Sequence, residues 1–443
     1  MKSNQKQESG QVLVILALVL VGLLGFAALV IDGGTIFADR RFDQSAADAS
    51  AVAGAVAAAQ EIEDQHITNG VFSCSSSAVI QAMQYASNAA INRSADNQFT
   101  VTSLSSEANL NTDKHGVFIK CGVEDHDAWS QGYIDVMVDI SSDVNTSFAH
   151  LFYPGGVRNS VEAVARVRPR TSGAFGYAIA ALSKTCTANY DNLIVSGDAQ
   201  VTVNNSGMFS NSCMKGNGNI VVNADEGIRY VDGYTSSGLP DINPPPSPAS
   251  EELPNFEYGP ADEDCAALAD DFGNVKVNSD AADVYLDPGR YSSIIVTKGK
   301  VSLNPGLYCV SGDVKLTGGT TYGDGIMFYL QKDGTKDTNF ETSGNANINI
   351  SAPHSGKWFG MLIYMAMGNA GNISLQGSST STYQGTVYAP SGHVDLGGTT
   401  NQMGEFSTQV IADTVKIFGT TDMTINFDDT IHYSEPAFID MYE

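Results

Sequence analysis

From Val12 to Ile31 the chain runs twenty residues without a charge or a proline, "VLVILALVLVGLLGFAALVI". At about 1.5 Å per residue a helix of that length reaches about 30 Å, the thickness of a bilayer's hydrocarbon core. The pattern predicts a transmembrane helix over 11–31 behind a short cytoplasmic stub, 1–10. Lys2 and Lys6 precede the apolar run and Asp32 is the first charge beyond it, so the positive-inside bias places the N-terminus in the cytoplasm. A cleaved signal peptide is the alternative, but its apolar region spans about 7–15 residues. Here the run is longer, and Ala46 to Ala59 continues it with good helix formers, so the anchor is expected to be retained.

Beyond the membrane the pattern changes three times. Residues 32–62 read as a helical stalk: Gly33 and Gly34 weaken its start, Ile36, Phe37 and Phe42 follow, and then small residues dominate. An alanine-rich face suits close packing, either on the chain's own domain or on another molecule. Residues 63–170 read as a small α+β domain. Val79, Ala82, Met83, Ala86 and Ala90 share one helical face, while Ile134, Val136, Val138 and Ile140 alternate with Asp135 and Asp139. Val161, Ala163, Ala165 and Val167 repeat the alternation, so one helix should cover a sheet of about four strands.

From 171 to 434 short strand motifs follow glycines: Gly312 before "VKL", Gly344 before "INI", Gly371 before "ISL", Gly392 before "VDL" and Gly419 before "MTI". Ile350, Leu375, Leu396 and Ile417 stand 25, 21 and 21 residues apart, and a more apolar series ("IMFYL", "MLIYM", "TVYA", "QVIA") interleaves with them. Two such series predict a mainly β protein whose bulk is a right-handed parallel β-helix, with a β-sandwich as the alternative. The proline-rich stretch 239–260 cannot sit within a central ladder. It is either a linker between two solenoid segments or, preferably, a loop lying across one. Residues 435–443 are left as a C-terminal tail.

Six cysteines, Cys74, Cys121, Cys186, Cys213, Cys265 and Cys309, all lie beyond the membrane segment without a C-x-x-C pair. Metal ligands need closer spacing, so disulfides in an oxidising compartment are expected. Sequential pairing (74–121, 186–213, 265–309) keeps each bridge within one region. A formal charge of −26 excludes a general nucleic-acid binder, since no basic surface is present to displace counterions.

The segment from Gly10–Gln11 through "IDGG" (Ile31, Asp32, Gly33, Gly34), Arg40–Arg41 and "QSAADASAVAGA", with Ala46, Ala47 and Asp48, resembles the N-terminus of TadG-like and TadE-like Flp pilus-assembly proteins. "IDVMVDISSDVNTSFAHLF" and "VEAVARVRPR" resemble the end of that family's first extracytoplasmic domain, and "LNPGLYCVSGDVKLTG" resembles glycine-rich solenoids of its larger members. The resemblance implies a membrane-anchored accessory of a tight-adherence pilus system. Pilin-like members carry a glutamate five residues after the cleaved glycine; Ile15 occupies that place relative to Gly10, which fits the unprocessed branch.

Catalysis would need clustered carboxylates with a nearby cation. Asp313, Asp324 and Asp395, with Arg290 and Lys315, are the candidates, and they read as corner or strand residues. The repeat places Asp395 between Ser374 and Lys416. Glu124, Asp125, His126 and Asp127 read as a solvated loop rather than a metal site. The expectation is therefore a non-catalytic, single-pass membrane protein with no cofactor. It would act in pilus assembly or surface attachment, with the bilayer, other Tad-like proteins, further copies of itself and surface glycans as candidate partners. A filament subunit and a carbohydrate-active β-helix enzyme are the alternatives.

Overall fold

The computed structural model describes the chain except residues 1–8, 108, 110–114, 152–154, 187–190, 255, 257, 260, 281–282, 344, 377, 379, 399–405, 421 and 443. Most of the expected stub and Gly344 therefore lie outside the described residues. Strands dominate, and the chain opens with one very long apolar helix.

That helix, α1 (Ser9–Asp64), passes through Gly33 and Gly34 unbroken. Two glycines cost about 1 kcal/mol each against alanine, too little to interrupt a helix with strong formers on both sides. Its C-terminal half is a core element rather than a free-standing stalk. Ala47, Ala51, Ala55, Ala58 and Ile62 are fully buried against the first domain. Small side chains allow this approach: a Cβ on Gly54 would lie 2.7 Å from Val136 Cγ1 and 2.8 Å from the Ala86 carbonyl.

Helix α2 (Ser77–Asp96) is capped by Ser76, whose hydroxyl accepts from the Val79 N–H at 3.2 Å. It buries Val79, Ala82, Ala86, Ala90 and Ser94; Met83 stays partly exposed. The two helices cover an antiparallel sheet of β1 (Gly116–His126), β2 (Trp129–Val144) and β3 (Val157–Arg168), paired in that order. The alternating residues Ile134, Val136, Val138 and Ile140 all face the helices with no exposure. The fourth strand comes from the far end of the chain: Phe438–Tyr442 pairs antiparallel with β3. The residues expected as a tail thus complete the first domain's sheet.

Between Ile179 and Asn426 every strand pairing in the main sheet is parallel. The strands stack in three ladders, and successive short strands of the chain enter the ladders in turn. The first ladder includes Ile179–Ala181, Met208–Ser210, Gly306–Val310, Ile326–Leu330 and Met361–Met365. The second includes Leu193–Gly197, Cys213–Gly218, Val314–Leu316, Phe340–Thr342 and Asn372–Leu375. The third includes Gln200–Asn204, Val221–Ala224, Thr320–Gly323 and Asn347–Ser351. Alternate side chains from all three point inward as one core, in which Val195, Val203, Ile294, Val314, Ile348 and Ile373 are fully buried. Each such side chain contributes about 1.5–3 kcal/mol relative to exposure.

The register corrects the sequence reading at one point. Leu375, Leu396 and Ile417 do stack in the second ladder. Ile350 does not: it stacks between Gly323 and Tyr383 in the third ladder. The partner of "ISL" is the strand Phe340–Thr342, because the turns between strands differ in length and a fixed sequence interval does not track one ladder.

Chain order and spatial order also differ. The last winding, Phe406–Gly419 and Asp422–Asn426, docks on the first, Ile179–Ala181, Leu193–Gly197 and Gln200–Asn204. Residues 271–426 therefore precede 179–248 in the stack. The chain returns from one end to the other through the proline-rich segment, which both links the two segments and lies across them. Leu253 exchanges hydrogen bonds with the Asn211 side chain at 2.8 and 3.0 Å. Further along, the Tyr388 hydroxyl donates to the Phe256 carbonyl, that of Tyr364 to the Tyr258 carbonyl at 2.7 Å, and that of Tyr329 to Asp262 at 2.9 Å. The strap ends in α3 (Asp262–Ala267), whose Cys265 is bonded to Cys309.

Candidate functional site

The surface that most needs a partner is the first half of α1. Val12 to Ile31 is exposed almost throughout, with Val12 at 67%, Phe26 at 73% and Leu29 at 73%. A bare apolar cylinder of this length is unstable in water and suits lipid or a sheath of other helices. Gly22, Gly25, Gly33 and Gly34 have no atom within 4 Å of where a Cβ would stand, so packing within the chain does not require them. Gly10 and Gln11 belong to the same helix.

Asp32 marks the place where the helix meets the folded domain. Its carboxylate accepts from the backbone N–H groups of Ser147 (2.8 Å), Phe148 (3.0 and 3.2 Å) and Ala149 (2.6 Å), at the start of a short 3-10 turn. Burial pushes its pKa up, but the bonds from Ala149, Ser147 and Phe148 outweigh this and hold it below the usual carboxylate range. The side chain ties the β2–β3 connection to the helix where the apolar run ends.

Two turns further on, Asp39 and Asp43 face the sheet together. The Ser142 hydroxyl lies 2.7 Å from Asp39 and 2.6 Å from Asp43, and Asn159 donates to Asp39 at 3.1 Å. The two carboxylates compete for one hydroxyl hydrogen. Burial raises the Asp43 pKa, the Ser142 bond opposes this and the neighbouring Asp39 charge adds to it. Neither carboxylate stood out in the sequence, where both lay among other polar residues.

The remaining junction residues divide by face. Arg40, Arg41, Phe37 and Phe42 are exposed, and Phe42 lies 5.8 Å from the Phe99 ring. Ala46 and Ala47 are buried in the helix seam, and Asp48 accepts from Gln44 at 2.8 Å. At the far end of the helix Glu63 accepts from Arg170 at 2.7 Å and from the Ala437 N–H at 2.6 Å, which latches both chain crossings between domains to α1.

The six cysteines form Cys74–Cys121, Cys186–Cys213 and Cys265–Cys309. All lie on the side of the helix away from its N-terminus.

The carboxylates weighed for catalysis are not assembled into one site. Asp313 accepts from Asn339 at 3.0 Å and has Lys315 at 3.5 Å. Asp324 accepts from Ser351 and contacts His354 at 2.7 Å. Asp395 does stand between Ser374 and Lys416, and is bonded to Asn372 and His393, both at 3.0 Å. His393 also contacts Thr414 at 2.6 Å, so a hydroxyl, an imidazole and a carboxylate lie in a row. His393 and Asp395 lie two residues apart on one strand, and Thr414 stands beside His393 on the next in parallel register.

The "GVEDHDAW" hairpin is solvent-facing at Asp125 and Asp127, as expected, and also makes contacts between the domains. His126 contacts Glu251 at 3.0 Å and stacks on Trp129 at 3.8 Å. Asp127 accepts from Arg229 at 2.9 Å and from the Ser250 N–H at 2.8 Å, and these bonds hold its pKa low. Glu124 pairs with Arg168 at 2.9 Å and with Arg166, which also holds Asp135. Among the described residues no group of three or more His, Cys, Asp or Glu side chains is arranged to hold a metal.

Residues 10–58 match the family described as putative Flp pilus-assembly TadE/G-like. The match covers the apolar helix, the Asp32 junction and most of the alanine seam. Neither a curated protein nor a solved structure matches the chain.

Proposed function

We propose that this chain is a membrane-anchored, extracytoplasmic structural component of a Tad-like pilus-assembly or surface-attachment system, and that it is not an enzyme. The observation that carries the reading is the single continuous helix, Ser9–Asp64, bare over the family-matched apolar half and fused into a domain core over the rest. Such a helix couples whatever holds its first half rigidly to the displayed domains. The N-terminus is read as cytoplasmic from Lys2 and Lys6 and the bulk as extracytoplasmic from the three disulfides. The three parallel ladders support reading 171–434 as a parallel β-helix, right-handed as parallel crossovers overwhelmingly are.

The vacant space around Gly22, Gly25, Gly33 and Gly34 favours a second reading, in which α1 packs against α1 of other copies in a filament core. Alkaline washing of membranes from cells producing the full chain separates the two. The anchor reading expects the protein to stay in the bilayer and to leave it in detergent as a small discrete species. Recovery in sheared, detergent-resistant filaments would replace it with the filament reading.

A further inference from the structure

We propose that the outer face of the third ladder, between Tyr285 and Gln384, binds an extended, uncharged glycan chain. Tyr285, Ser302, Tyr322, Asn349 and Thr382 occupy one row across five adjacent strands. Their strand neighbours Leu286, Leu303, Ile348 and Tyr383 turn inward and are buried, so the row faces solvent. Tyr285 is 66% exposed and Tyr322 43%, and beside Tyr322 the Lys300 ammonium stands 5.9 Å from the ring centroid, its charge paired with Asp283 at 3.4 Å. The two stand two strands apart, about 9.5 Å. That separation brings them under alternate rings of an extended sugar chain.

Beside Tyr322 the face is hollowed into an open depression of about 470 Å³. Its polar lining includes Asp324, Asn349, Ser351, Thr382 and Gln384, with Tyr322 as one wall. These groups are held in place before any ligand arrives. Thr382 donates to Asn349 at 2.9 Å, Asn349 donates to Asn347 at 2.9 Å, and Asp324 accepts from Ser351. Bonds from Ser351 and His354 hold the Asp324 carboxyl below its usual range, so it is an ionised acceptor at neutral pH.

One aromatic wall with several fixed donors and acceptors matches the amphipathic faces of a sugar ring, apolar across the C–H face and polar at the rim. Around Tyr322 and the depression a peptide strand would find no edge to extend, because the strands from Lys300–Leu303 to Asn347–Ser351 are paired on both sides; among the described residues only the end strand, Asp283–Leu286, has a single partner. Charge selects among glycans. The chain carries −26 overall and Asp324 lines the depression, so a polyuronate is repelled while a neutral chain is not. The site is independent of the anchoring reading, since it uses only the outer domain.

The test uses the full chain in lipid nanodiscs and titration calorimetry with cellohexaose, laminarihexaose and chitohexaose, with hexagalacturonate as the acidic comparison. At least one neutral hexasaccharide is expected to bind. Tyr322→Ala should weaken it about tenfold, the loss of one stacked ring at about 1.4 kcal/mol. Tyr285→Ala should weaken the hexasaccharide but leave the corresponding disaccharide unchanged. Both positions are exposed, and an unchanged melting temperature confirms that each variant is folded. The proposal is overturned if no neutral hexasaccharide binds at millimolar concentration. It is equally overturned if binding survives Tyr322→Ala in a folded variant, or if hexagalacturonate binds as well as the neutral chains. None of these outcomes bears on membrane anchoring.

Discussion

Replacing Cys265 and Cys309 together by alanine removes the bridge that pins the return strap to the ladder it crosses. The bridge closes a separation of 44 residues. In the chain-entropy account a loop of that size stabilises the fold by about 4 kcal/mol, through restriction of the unfolded chain. The native strap keeps its other attachments: Tyr329 to Asp262 at 2.9 Å, Tyr364 to Tyr258 at 2.7 Å, and the Asn211–Leu253 pair. Both sulfurs are buried, and alanine fills most of the space without an unsatisfied polar group. The loss should therefore appear as stability and not as a changed structure. For a domain of this size 1 kcal/mol moves the midpoint by about 2–4 °C, so the variant should melt about 8–16 °C lower. Near-UV circular dichroism of the full chain in nanodiscs reads the transition of the parallel-strand domain. Cys74→Ala with Cys121→Ala serves as the comparison: it opens a similar separation, 47 residues, in the first domain. A shift below about 2 °C for the strap pair would refute the loop-closure magnitude, and equal shifts of one shared transition for both pairs would refute a separate effect of this bridge on the parallel-strand domain.

Gly54→Leu should cost more than about 3 kcal/mol and expose the α1–α2 seam to protease, because even a Cβ would meet Val136 and the Ala86 carbonyl inside 3 Å; a variant as protease-resistant as the wild type would contradict the seam. Asp32→Ala should release the amides of Ser147, Phe148 and Ala149 to faster hydrogen exchange. The folded Asp32 pKa is lowered, so its stabilisation is present above about pH 4 and lost as pH falls through the lowered value. The variant should therefore lack that part of the acid-induced loss, and unchanged exchange at the three amides would count against the cradle. Asp43 has the opposite sign: its folded pKa is raised, so stability falls as pH rises through that value. Asp43→Asn should match or exceed wild-type stability at pH 7, with any advantage disappearing near pH 3; a loss at pH 7 in denaturant titrations would refute the reading that burial and Asp39 disfavour the Asp43 charge.

The local elements were legible because period and burial agree in them. Strict alternation at Ile134 to Ile140 produced a strand, 3-4 spacing from Val79 to Ala90 produced a helix, and the 21-residue spacing placed Asp395 beside Ser374 and Lys416. What failed was long-range. Strand motifs of the ladders resemble one another, so nothing local distinguishes Ile350's ladder from that of Leu375. The inverted stacking order is set by tyrosine hydroxyls reaching a strap more than 100 residues away, and by a last winding that finds the first. The alanine-rich half of α1 carried the right signal, close packing, without naming its partner. The cross-domain contacts of the acidic hairpin at 124–127 exist only once the domains meet, and the Asp39–Asp43–Ser142 cluster only once the helix packs on its sheet, so composition alone could name neither set of partners.

The central claim is that α1 crosses the bilayer once and is retained, with the two domains outside. Single cysteines at Ser3 and Ser237, the second exposed near one end of the stacked strands, test it in spheroplasts with a membrane-impermeant maleimide. The account predicts that S237C is labelled in intact spheroplasts and S3C only after lysis, on a chain of full length. Labelling of S3C from outside, or loss of that position from the mature protein, would contradict it.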